Sequence, residues 1–304
     1  HQLGFSFDGG TYENKFYVVD ALLEWSLPTA NLIISPGDQN FCGFFPMVGK
    51  SNYRILGSLP KKFYCQENIQ RSEVEAVVKD SIKQNIKFHS INWLSIYKLH
   101  HRCVDVFRKG RIFLAGDSAH IHSPAGGQGM NTGLQDAYNL CWKLSYVLKG
   151  YAKSELLDTY NQERLPFAKW LMKFTDKAFQ LMTSNNWFLI KIRRHFTINM
   201  MKILMSRNFI GTIAFNIVSQ LKYSYNKKSF LSLNISRQYL KFKAGQRLPY
   251  IENNFYLKFK HAGFSLLHIN DTPVKNGNPF QKYFKEEIPI IESNIHLWKK
   301  WGVN

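Results

Sequence analysis

Residues 110–150 read GRIFLAGDSAHIHSPAGGQGMNTGLQDAYNLCWKLSYVLKG. The run Arg111-Ile-Phe-Leu-Ala115 predicts a short, buried apolar strand that stops at Gly116-Asp117. A loop follows, then a helix from Met130. In it Leu134, Ala137, Tyr138, Cys141, Leu144 and Leu148 fall at three- and four-residue steps, and Gly150 is the expected stop. A strand therefore ends in an acid, and the acid faces a glycine-rich loop that feeds a helix. A carboxylate so placed can accept hydrogen bonds from ligand hydroxyls. Gly126, Gly127 and Gly129 permit positive φ and let the backbone approach a flat ligand. The helix start offers unpaired amides and the positive end of a dipole, which suit an electron-rich or anionic ligand edge. The plain structural alternative is a strand–turn–helix corner with glycines for tight packing.

On the N-terminal side, residues 1–64 predict antiparallel strands. Phe16 to Val19, Leu32 to Ile34, Phe41 to Phe45 and Tyr53 to Leu56 are apolar or alternating runs. Gly9-Gly10, Pro36-Gly37-Asp38, Pro46 and Gly49 punctuate them as turns. Residues 71–85 predict a helix with Ser72 as cap and Glu75 three residues on. Ile91 to Leu99 suits another strand. On the C-terminal side, residues 154–182 continue helical, with Pro166 as the expected break or kink. Residues 186–222 mix basic and apolar residues, and 245–304 return to short mixed elements.

The chain has 304 residues, 45% of them apolar and 15% aromatic, the composition of a folded protein with a substantial core. No apolar run reaches the roughly 18 residues of a membrane-spanning helix. Forty Lys and Arg against 21 Asp and Glu give +19. That charge is spread along the chain, with only short clusters such as Lys191-Ile192-Arg193-Arg194, so no specific nucleic-acid site is expected. Cys42, Cys65, Cys103 and Cys141 form no CxxC pair and suit free thiols in a reducing, cytoplasmic compartment. His120 and His122, two apart on a loop, make at most a partial metal site, and no metal ligand set is read.

The order Gly-Asp, Ala-His, Pro, glycine loop, Met-Asn, helix resembles the FAD-dependent aromatic hydroxylases, single-component monooxygenases of the phenol hydroxylase and p-hydroxybenzoate hydroxylase type. The likeness runs on through LLDTYNQERLPFA at 156–168. It extends more weakly to FFPMVGKSNYRILGSLP at 44–60 and GQRLPY…GFSLL at 245–267. It implies an α/β fold of the p-hydroxybenzoate hydroxylase type. Residues 1–110 would form the substrate-sheet region and 111–150 the C-terminal half of the FAD-binding domain. Residues 151–239 would form a helical segment, and 240–304 part of a thioredoxin-like domain. That family holds the FAD pyrophosphate on a GxGxxG unit, and no GxGxxG stands in this sequence. The resemblance thus implies a piece of a longer enzyme, truncated at both ends, whose residues alone would be inactive and bind FAD weakly.

The site residues are implied by the same resemblance. Gly116 and Asp117 match the turn whose acid bonds the FAD ribityl chain, and Pro124 matches the proline beside the reactive edge of the ring. Gly127, Gln128, Gly129, Met130 and Asn131 match the backbone at its pyrimidine edge. No catalytic nucleophile is required. The implied reaction is hydroxylation of a phenolic or other planar aromatic substrate by O2, with NADPH or NADH as co-substrate. A homodimer is one candidate assembly. A non-hydroxylating flavin oxidoreductase, or a non-enzymatic fragment with a basic helical surface for a membrane or an anionic partner, are the alternatives. Phe44, Tyr53 and Trp93 are candidates to line a substrate pocket, the alternative being that they are core. His120 is expected behind the loop, and Arg102 either pairs with Asp117 or a FAD phosphate or lies on the surface. Glu163 and Arg164 are expected in a structural ion pair or helix-end contact.

Overall fold

A computed structural model describes residues 4–26, 31–35, 40–82, 85–124, 127–183, 219–220, 223–225, 248, 255–258, 265–269 and 290–293. Its strands are β1 (Phe7–Glu24), β2 (Ile33–Ser35), β3 (Cys42–Pro46), β4 (Asn52–Ser58), β5 (Lys87–Val104), β6 (Arg108–Lys109), β7 (Ile112–Phe113), β8 (His120–Ile121), β9 (Leu266–Ile269) and β10 (Ile290–Ser293). Its helices are α1 (Arg71–Ile82), α2 (Gly129–Leu148) and α3 (Asp158–Thr183). One antiparallel sheet runs β2-β3-β4-β1-β5-β8, and β9 and β10 form a separate parallel pair. Most of 186–222 and of 240–304 lies outside the described residues.

Two 18-residue strands, β1 and β5, make the spine of the sheet. Alternation sorts β1 by face. Tyr17, Val19, Ala21 and Leu23 point to one side and pack with Cys42, Phe44, Tyr53 and Ile55. Val74, Val77 and Val78 of α1 close over them. Phe16 points to the other side and meets Phe41 and Phe179, the last from α3. A further cluster joins Cys103 and Val104 of β5 to Phe107, Ala119, Leu140 of α2 and Tyr160 and Ala168 of α3.

Several expectations need correction. Gly9-Gly10 is no turn: both glycines lie inside β1, opposite Arg102 and His101. A Cβ on Gly9 would fall 1.9 Å from the His101 carbonyl oxygen, so glycine is there to let β5 approach. The cap of α1 is not Ser72. Glu73 accepts the Gln70 N–H at 2.8 Å, and Glu75 instead pairs with Lys79 at 2.6 Å. Pro166 breaks nothing, since α3 passes through it over 26 residues. The strand before Gly116 shrinks to β7, which among the described residues pairs with β6 alone, and Ile112 is exposed rather than buried. Asp117 accordingly stands on a 3-10 turn, Gly116–Ser118, and not at the end of a buried strand.

Of the apolar steps of α2, Leu144 packs against the core, but the others are exposed. Leu134, Tyr138 and Leu148 are exposed, whereas Thr132, Asp136, Asn139, Leu140, Lys143 and Tyr146 are buried. The length and ends of α2 are as expected, including Gly150 with φ +71°. All four cysteines are free; Cys42 and Cys103 are buried, Cys65 and Cys141 exposed. Among the described residues, no helix is long and apolar enough to cross a membrane.

Candidate functional site

The corner is built up from its turn. Ala115 is extended, and Gly116 takes φ +58°, a conformation glycine adopts without strain. Ser118 closes the turn by accepting the Ala115 N–H at 3.2 Å and donating to the Ala115 carbonyl at 2.8 Å. The Asp117 side chain is left in solvent. Gly116 rests directly on Gly133 of α2: a Cβ on Gly133 would lie 3.4 Å from the Gly116 Cα. After β8, the Gly127 N–H bonds the Pro124 carbonyl at 2.9 Å, and Gly127 has φ +62° with open space where a side chain would stand. Gln128 is the N-cap of α2 and makes no side-chain cap. The first amides of the helix, at Gly129, Met130 and Asn131, therefore have no side-chain acceptor there, and Met130 and Asn131 are exposed. The positive end of a 20-residue helix meets solvent beside a loop with room for a ligand.

Beneath this surface the contact between α2 and α3 is polar. Asp136, 1% exposed, accepts Arg164 Nε at 2.6 Å on one oxygen. Its other oxygen accepts His120 Nε2 at 2.7 Å and the Gly116 N–H at 3.1 Å. Burial raises the Asp136 carboxyl, but the His120 hydrogen bond and the Arg164 charge outweigh it and hold it below the usual carboxylate range. Arg164 also donates to the Thr132 carbonyl and lies over the Phe167 ring at 4.5 Å. One turn along, Lys143 Nζ donates to Glu163 at 2.7 Å and to Asn139 at 2.8 Å, while Asn139 Nδ2 donates to Glu163 at 2.7 Å. Burial draws the Lys143 ammonium down, and Glu163 opposes it. At the helix start, Gln220 Nε2 donates to Gln128 Oε1 at 2.9 Å and to Thr132 Oγ1 at 3.0 Å. Gln128 Nε2 is buried with no hydrogen-bond partner among the described residues.

The expected residues are thus partly brought together. Gly116 and Asp117 lie against the first two turns of α2, Pro124 and Gly127 flank the loop, and Gln128 to Asn131 form the helix start, while Ala125 and Gly126 lie outside the described residues. His120 sits behind the loop, stacked on Phe107 at 5.8 Å. Glu163 and Arg164 are in buried ion pairs, within α3 rather than at its end. Arg102 makes no ion pair with Asp117; its Nε is buried with no hydrogen-bond partner among the described residues. Phe44 and Tyr53 are shut into the core under α1, and Trp93 stands on the opposite face of the sheet with Arg54 over its ring at 5.8 Å. The structure does not bring these three to one pocket. Sequence reasoning missed Asp136, Asn139, Lys143 and Gln220. The signal for the first three was present: polar residues at 132, 136, 139 and 143 keep helical spacing.

A family model described as FAD binding domain matches residues 1–175. The 6-methylpretetramide 4-monooxygenase of Streptomyces rimosus is 52% identical over 94 residues, 31% of this chain and 17% of its own length. Pentachlorophenol 4-monooxygenase of Sphingobium chlorophenolicum is 34% identical over 187 residues, 59% of this chain and 34% of its own length. Among solved structures, OxyS anhydrotetracycline hydroxylase from Streptomyces rimosus is similar with a TM-score of 0.62 and 26% identity, covering 96% of this chain and 56% of that one. The chain therefore spans about a sixth to about a third of the length of these two curated relatives.

Proposed function

The chain belongs to the FAD binding domain family, and from that membership we propose that it works, within a longer protein, as part of an FAD-dependent monooxygenase. The reaction is hydroxylation of a phenolic or other planar aromatic substrate, with O2 as oxygen source and NADPH or NADH as reductant. The relatives' names support the substrate class: one is named for pentachlorophenol and another for anhydrotetracycline. The observation that carries the reading is the corner itself, where an exposed carboxylate, an open glycine turn and an uncapped helix start stand together.

These residues fit FAD. The space at Gly127 admits a flat group against the backbone, and the orphaned Gln128 Nε2 is a donor awaiting an acceptor. Asp117 would accept from a ribityl hydroxyl. Gly127 to Asn131 would present amides and the helix dipole to the electron-rich pyrimidine edge, and Pro124 would flank the ring. When bound, FAD supplies the electron and oxygen chemistry, and the protein supplies position, charge and exclusion of water. The free exposed thiols Cys65 and Cys141 support a reducing, cytoplasmic setting.

The test is FAD titration of the full-length protein, followed by NAD(P)H consumption with a panel of phenols under labelled O2. Label in a hydroxylated product is the expected result. Consumption without label would favour the non-hydroxylating oxidoreductase, and absence of FAD binding would overturn the site. Asp117→Ala should weaken FAD about ten- to a hundredfold, since a charged acceptor is worth roughly 1.5–3 kcal/mol. Asp117→Asn should lose less, because an amide oxygen still accepts. Unchanged affinity in Asp117→Ala would remove that residue from the site.

A further inference from the structure

The carboxylate of Asp136 joins three other segments to α2: Arg164 of α3, His120 of β8 and the N–H of Gly116. A buried ion pair is a poor device for stability alone, because well-packed apolar side chains of similar volume serve as well. What a carboxylate adds is direction, since each oxygen fixes its donor along a line. Here one oxygen is taken by Arg164, which fixes the rotation of the group, and the other is aimed at the turn. Among the described residues, the Gly116–Asp136 bond is the one hydrogen bond from the turn to α2. The Gly116 backbone also rests on Gly133, a contact with no side chain to interlock. Asp117, the next residue, points into solvent, so nothing of its own holds it in place.

We propose that Asp136 is a positioning residue for FAD: through the Gly116 N–H it sets where Asp117 stands over the first turns of α2, and His120 and Arg164 hold it in that orientation. The inference rests on the FAD site proposed above. Asp136 touches no ligand in this arrangement. Its effect reaches the cofactor only through the turn, and that makes it separable from a general contribution to folding.

A double-mutant cycle in FAD affinity, on the full-length protein, separates the two. Asp117→Ala and Asp136→Asn should each weaken FAD by about tenfold or more. In the Asp136→Asn background, Asp117→Ala should cost less than about threefold further, because the acid is already misplaced. His120→Phe keeps the Asp136–Arg164 pair and fills the volume, so it decides the matter if Asp136→Asn does not fold. It should weaken FAD several-fold with the same loss of additivity, and His120→Gln, which can still donate, should restore affinity. In protein without FAD, hydrogen exchange at Gly116 to Ala119 should quicken in His120→Phe while α2 and α3 stay protected. Additive losses, or unchanged affinity with a lowered melting temperature, would overturn the inference. If Asp117→Ala weakens FAD while the Asp136 and His120 variants do not, the inference fails and the FAD site stands. If the wild-type protein binds no FAD, both fall.

Discussion

The two faces of this molecule are buried by different means. Under α1, the sheet closes over Tyr17, Val19, Phe44, Tyr53, Ile55, Val74 and Val78, where the contacts are almost all apolar. Between α2 and α3 the buried residues include Asp136, Asn139, Lys143, Glu163 and Arg164, each hydrogen-bonded to another of the set. Apolar burial is non-directional and forgives small changes of shape. A buried polar set is directional and unforgiving, because an orphaned charge costs far more than a missing methyl. The candidate site lies over the second region. That placement suits a surface that must hold backbone amides and a carboxylate in one fixed relation.

The contrast is open to direct experiment. Arg164→Met should have the largest effect, about 3–5 kcal/mol in urea unfolding, because it removes the arginine counter-charge from an Asp136 carboxylate that is 1% exposed. A loss under about 1 kcal/mol would mean that water reaches Asp136 and that the region is not sealed. Ile55→Val, in the apolar region, should cost only about 0.5–1.5 kcal/mol. A comparable loss at the two positions would erase the distinction.

The smallest effect refines the contrast through pH. Burial holds the His122 imidazole below its ordinary 6.5, despite a hydrogen bond to the Ser123 carbonyl that opposes this. A folded value below the unfolded one means the unfolded chain takes up the proton first. The His122 contribution is therefore complete above the unfolded value and is lost as pH falls through the folded one. Asp136 behaves likewise at lower pH: its share is complete above about 3.8 and is lost as pH falls through its depressed folded value. Melting temperature against pH should thus fall in two steps. His122→Gln should remove the upper step and leave the lower; an unaltered profile would show that His122 takes up its proton alike in the folded and unfolded states.

The legibility of the two regions differed for physical reasons. The sheet could be read because its strands alternate over runs such as Phe16 to Val19 and Tyr53 to Leu56, and alternation names the buried face when one face is apolar. The extent of α2 could be read too, since Met130 to Gly150 carries both period and stop. Its orientation could not. Periodicity says that a helix has two faces, and the apolar one is assumed to be inside, but Leu134 and Tyr138 face out while Asp136 and Lys143 face in. A lone Asp on a helix reads as solvated until Arg164, 28 residues on, is known to stand opposite. Gly9-Gly10 failed similarly: glycine marks a turn or a close approach of two backbones, and only the partner strand decides which. The glycine loop was the most legible part of the site, because its order of residue types ties backbone freedom to a helix start.

The placement of the cysteines makes the molecule its own instrument. Cys42 lies in the apolar cluster under α1 and Cys103 in the cluster where β5 meets α2 and α3, while Cys65 and Cys141 are outside. Burial pushes the Cys42 thiol up to about 12 and that of Cys103 up to about 11, so neither presents thiolate to a reagent in the folded state. With Cys65 and Cys141 replaced by serine, a thiol-directed dye would label only through opening. The labelling rate at each remaining cysteine would then clock one of the two regions separately, in the untouched wild-type interior.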